Sequence, residues 1–132
     1  MTSEQKRQIK LLCYVHWILS KKFDSEPGVR DLYQLEEVVS MPGGGSLTCF
    51  SGTRLTNRKD LFAQLGWFVY YMMEGEPFNS RNKALTTLMV IWVLEYYKLE
   101  FDKDKVVEFV TNVETMKSGN SDISNWFANN CK

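Results

Sequence analysis

The chain has 132 residues, with 16 basic and 16 acidic side chains and a formal net charge of zero. That length suits one domain around one hydrophobic core, and the charge balance argues against a domain built to hold nucleic acid or a charged membrane surface. Cys13, Cys49 and Cys131 lie far apart, no CxxC pair occurs and His16 is the single histidine, so neither a structural zinc site nor a disulfide framework is expected.

The polar, charged start over Met1–Lys10 is wrong for a secretory signal. Unpaired thiols fit a reducing compartment, and a cytoplasmic protein is expected. Ile9, Leu12, Cys13, Trp17 and Leu19 then recur at mostly helical spacing and predict a helix from about Glu4 to Ser20. Ser25-Glu26-Pro27-Gly28 breaks that pattern, and Asp31 caps or enters a short helix with Leu32, Leu35, Val38 and Val39 on one side. Met41-Pro42-Gly43-Gly44-Gly45-Ser46 ends it and opens a loop. The glycines lack the lysine and the strand–loop–helix setting of a P-loop, so a hinge is the simpler reading. Leu47-Thr48-Cys49-Phe50, Ser51-Gly52 and Thr53-Arg54-Leu55-Thr56 read as a small hairpin with Ser-Gly at its turn.

Asp60–Met73 predicts a strong helix with Leu61, Leu65, Phe68, Val69 and Met72 on one face, stopped by Glu74-Gly75-Glu76-Pro77. A second runs from about Arg81 to Lys98. Its middle, Leu88–Leu94, is far short of the ~20 apolar residues needed to cross a bilayer. Being apolar nearly all round, it is expected at the centre of a bundle. Two shorter helices follow, Lys103–Met116 and Asp122–Asn130, the latter capped by Ser121 or Asp122. The expected architecture is mainly α: one domain over 1–132, a helical bundle with a β-hairpin flap over about 43–58.

The chemistry-bearing stretch is Glu76-Pro77-Phe78-Asn79-Ser80-Arg81-Asn82-Lys83-Ala84, a tight loop feeding a long helix. The first amides of a helix lack intrahelical partners and carry partial positive charge, which suits an anion. Arg81 and Lys83 in the first turn disfavour the helix dipole by up to about 1 kcal/mol unless an anion joins them. The plainer reading is two cations pointing into water. His16, with no second histidine to complete a triad or metal site, reads as structural or as a surface residue. Trp67, Tyr70, Tyr71, Trp92, Tyr96 and Tyr97 read as core and its edge, since basic residues do not interleave with them. Arg54, Arg58 and Lys59 give the flap a small positive edge.

The stretch 76–84 resembles the Fic/Doc (death-on-curing) signature H-P-F-x-D-G-N-K-R-T-A. Pro77, Phe78, Asn82 and Lys83 match it. Glu76 stands at the histidine position, Ser80 at the acidic or amide position, Arg81 at the small residue and Ala84 at the arginine. Gly28-Val29-Arg30-Asp31-Leu32-Tyr33-Gln34-Leu35-Glu36 is similar to the G-[IV]-R-D-x-x-x-L-E stretch of Doc-like proteins. Tyr96-Tyr97-Lys98-Leu99-Glu100-Phe101 and Ser121–Phe127 resemble the segments that close the family's fold, so the likeness spans nearly the whole chain in order.

The resemblance implies a Fic/Doc-like bundle that moves part of a nucleotide, or a phosphate, onto a protein hydroxyl. It implies ATP or another nucleotide with Mg²⁺ as cofactor. It places the base at Glu76 and phosphate contacts at Arg81, Asn82 and Lys83. Pro77, Phe78 and Ser80 shape the loop, and Leu47, Thr48, Phe50 and Arg54 form the flap that pairs with a target peptide. The altered positions cut against that chemistry. A positioned general base is worth about 10²–10⁴ in rate, and a carboxylate of ordinary pKa near 4.3 is a weak one unless buried. Ser80 brings no charge for Mg²⁺, and Ala84 removes the phosphate clamp. Two functions follow. One is a catalytically silent domain that binds or regulates a protein partner in a toxin–antitoxin, phage or mobile-element setting. The other is a divergent Doc-like toxin, a nucleotidyl- or phosphotransferase using Glu76, Arg81 and Lys83. No resident metal, no nucleic acid and no membrane are expected.

Overall fold

The computed structural model describes residues 1–41, 47–50 and 57–132. Among them are six α-helices and no strand: α1 Ser3–Lys22, α2 Leu32–Val39, α3 Arg58–Gly75, α4 Asn82–Tyr96, α5 Lys103–Thr111 and α6 Asn120–Asn130. The mainly α expectation holds. The boundaries move where caps decide them.

Thr2 starts α1 through a reciprocal capping box: its hydroxyl accepts from the Gln5 amide at 3.1 Å and the Gln5 side chain accepts from the Thr2 amide at 2.9 Å. Asp31 caps α2 as the sequence predicts, accepting from the Gln34 amide at 3.2 Å. The last helix begins two residues before its expected start. Gly119 is the cap, and Asp122 reaches back to accept from the Gly119 amide at 3.2 Å. The helix expected over Lys103–Met116 ends at Thr111.

Leu12, Leu35, Leu65, Phe68, Val69, Met72, Leu85, Val93, Leu94, Val110, Ile123 and Phe127 are fully buried, so every helix contributes to one core. α3 packs extensively against α6. That packing depends on Gly66, where a Cβ would stand 2.6 Å from the Asn120 carbonyl oxygen and 2.9 Å from the Ser124 nitrogen. α4 is not sealed in the bundle. Leu88, Trp92 and Tyr96 lie one turn apart and remain 46%, 44% and 40% exposed. Apolar composition marked the helix as buried, but its neighbours cover only part of its circumference.

The expected first strand of the flap is absent. Thr48–Phe50 is a single 3-10 turn, with Leu47, Cys49 and Phe50 in the core. Glutamine side chains serve the Leu47 and Cys49 peptide groups here. Gln8 donates to the Leu47 carbonyl at 2.9 Å and accepts from its amide at 3.0 Å. Gln64 accepts from the Cys49 amide at 2.9 Å and donates to the Thr48 hydroxyl at 2.8 Å. Leu47 and Phe50, assigned above to peptide capture, are therefore core residues. The rest of the expected hairpin, including Arg54, lies outside the described residues.

Candidate functional site

The loop between α3 and α4 is built from two left-handed residues, Glu76 at φ 40° and Arg81 at φ 56°. Glu76 ends α3, its amide donating to the Met72 carbonyl at 3.1 Å. Arg30 comes from the segment before α2 and donates to the last carbonyls of α3, Gly75 at 2.7 Å and Glu76 at 2.9 Å. A cation is favourable at that end of a helix.

The same segment pins the rest of the loop. The Arg30 and Asp31 amides donate to the Pro77 carbonyl at 2.7 and 3.0 Å, and the Asn79 amide donates to the Gly28 carbonyl at 3.0 Å. Val29 and Phe78 form an isolated antiparallel bridge. The Ser80 hydroxyl donates to the Glu26 carbonyl at 2.6 Å, and the Asn79 amide group to the Pro27 carbonyl at 2.8 Å. The two stretches singled out in the sequence, 28–36 and 76–84, are thus one structural unit.

Its inner side is closed by His16 and Phe78. The rings stack with centroids 4.2 Å apart, and both are 1% exposed. His16 Nε2 lies 2.8 Å from the Ser80 carbonyl oxygen. A carbonyl can only accept, so Nε2 carries the proton and donates. Asn82 completes the frame: its oxygen accepts from the Phe78 amide and its nitrogen donates to the Phe78 carbonyl, each at 3.0 Å. His16 is buried in this frame, so the structural one of the two readings applies and the surface one does not. Its partner is 64 residues away, and no local pattern in the sequence announces that contact.

The outer side of the loop borders an open hollow of about 670 Å³, lined among others by Arg30, Glu76, Asn79, Arg81, Lys83 and Thr111. The first turn of α4 has no side-chain cap. Arg81 and Lys83 are exposed there, the Arg81 guanidinium lying 4.8 Å from the Phe23 ring centroid. Neither forms an ion pair among the described residues. Of the three residues expected to contact phosphate, Arg81 and Lys83 reach the hollow with free charge, whereas the Asn82 amide is occupied by Phe78. Glu76 is exposed at the edge of the hollow. Among the described residues no three His, Cys, Asp or Glu side chains converge as metal ligands, and no helix is long and apolar enough to cross a membrane. Comparison with family models, curated proteins and solved structures returns no match to this chain.

Proposed function

We propose that this chain is a Fic/Doc-like domain whose transfer chemistry has been lost and which works by binding a protein partner, in a toxin–antitoxin, phage or mobile-element setting. The observation that carries the reading is the use of the motif side chains as structure. Ser80 is tied to the Glu26 carbonyl and Asn82 to both peptide groups of Phe78, while Ala84 offers no charge. The side chains at the metal-ligand and amide positions of the motif thus hold the loop, and the arginine position brings no phosphate clamp. Binding is supported by the large apolar side chains left at the surface, among them Trp17 at 52% and Tyr33 at 67% exposure. Free cysteines support a cytoplasmic setting.

The test is transfer of label from γ- and α-labelled ATP or GTP, with Mg²⁺, to proteins of a cell extract. The expected result is no labelling above the blank by the wild-type chain. Labelling that disappears in Glu76→Ala would overturn the proposal and support the second reading, a divergent Doc-like nucleotidyl- or phosphotransferase. One observation favours that second reading: the uncapped N-terminus of α4 with Arg81 and Lys83 beside it. Calorimetric titration with ATP-Mg²⁺ or GTP-Mg²⁺ addresses it directly, because binding weakened by both Lys83→Ala and Arg81→Ala is its first requirement.

A further inference from the structure

Charge is not spread evenly over this neutral chain. α1 alone holds five of the 16 basic residues and one of the 16 acidic residues. The one acid, Glu4, is paired with Arg7 at 3.3 Å. Lys6, Lys10, Lys21 and Lys22 form no ion pair among the described residues. Leu12, His16 and Leu19 commit one side of α1 to the core. The opposite side carries Tyr14, Trp17 and Ile18 at 63%, 52% and 42% exposure, with the Lys21 ammonium 5.7 Å from the Trp17 ring centroid.

The order of these residues is informative. Arg7, Lys10, Tyr14, Trp17 and Lys21 follow one another at alternating spacings of three and four, so they form one stripe along the outward face of α1. The stripe is apolar at its middle and cationic at both ends. The neutral chain supplies no wider positive field to hold a lipid surface or a nucleic acid backbone. A second helix can lie along such a stripe and cover it. Trp, Tyr and Arg are also the residue types that dominate binding energy at protein interfaces.

We infer that the outward face of α1 is a docking seam for an acidic amphipathic helix of a partner protein. Carboxylates of that helix meet Lys10 and Lys21, and its apolar side chains cover Tyr14 and Trp17. The inference rests on the binding function proposed above for the existence of a partner, and it adds the partner's chemistry and place.

The probe is a fluorescent three-heptad peptide with Leu and Glu alternating on its seam, titrated against the full chain, beside a control carrying Lys in place of every Glu. The acidic peptide is expected to bind, the basic one not. Lys10→Glu/Lys21→Glu and, separately, Trp17→Ala are expected to weaken binding about tenfold or more. Circular dichroism and thermal unfolding should stay unchanged, because these side chains are exposed. Raising salt should weaken the wild type and spare the charge-reversed variant. Equal binding of both peptides, or affinity indifferent to the substitutions, overturns the inference. It is also overturned if the same substitutions abolish binding to phosphatidylserine/phosphatidylcholine vesicles or to single-stranded DNA while the peptide fails to bind. Self-association in sedimentation that the substitutions abolish would assign the seam to a second copy instead. Nucleotide transfer by the wild type would remove the silent-domain reading and leave a positive peptide result standing.

Discussion

His16 shows how much one side chain can hold in place. Its ring packs on Phe78 and its Nε2–H meets the Ser80 carbonyl, so it fixes the inner wall of the α3–α4 loop. His16→Ala leaves a buried carbonyl without its donor, at about 1–3 kcal/mol, and removes an aromatic stack worth about 0.5–1.5 kcal/mol. A loss of about 2–4 kcal/mol is expected in urea unfolding, and a loss below about 0.5 kcal/mol would contradict the assigned contacts. Cys131 offers a test by pH. It is 2% exposed, and burial raises its thiol from 9.0 to about 11. The folded state therefore holds that proton more tightly than the unfolded chain. The associated stability is complete below pH 9 and is lost as pH rises toward about 11. Wild type should lose stability across that window more steeply than Cys131→Ala.

At the scale of elements, two contacts decide how helices meet. Gly66 lets α3 lie against α6, and a methyl group there would press on the backbone of Asn120 and Ser124. Backbone does not move aside as a flexible side chain does. Gly66→Ala should therefore cost about 1–3 kcal/mol despite its better helix propensity, visible as a lower Tm. Arg30 joins the segment before α2 to the end of α3 through the Gly75 and Glu76 carbonyls. Arg30→Ala is expected to cost about 1–2 kcal/mol. It should also speed hydrogen exchange at the Asn79 amide, which depends on the same segment. An unchanged exchange rate would separate Arg30 from the loop.

Across the whole molecule, helices from both ends of the chain share one core, with Leu12 of α1 and Phe127 of α6 both fully buried. Leu12→Ala should cost about 2–5 kcal/mol and Phe127→Ala about 3–5 kcal/mol. Each should shift one cooperative transition. A variant that melts in two steps would contradict a common core. Glu100 and Lys132 exchange backbone hydrogen bonds at 3.1 and 2.8 Å, tying the segment after α6 to the one between α4 and α5.

Local chemistry determined much of this protein by itself. The helical periods of α1 and α3, the Asp31 cap and the Glu74–Pro77 stop act over a few residues, and all are legible in the sequence. So was the clustering of distinctive residues at 28–36 and 76–84. What only tertiary structure decided depends on partners far along the chain. Leu47–Phe50 has the composition of a strand, but a strand needs a neighbour, and here Gln8 and Gln64 supply the hydrogen bonds. Asn82 looks like a phosphate contact until the Phe78 peptide groups are seen to take its polar atoms. α4 looks buried all round until its uncovered side appears. In each case the residue type states what an atom can bond or bury, and the fold decides which competing partner reaches it.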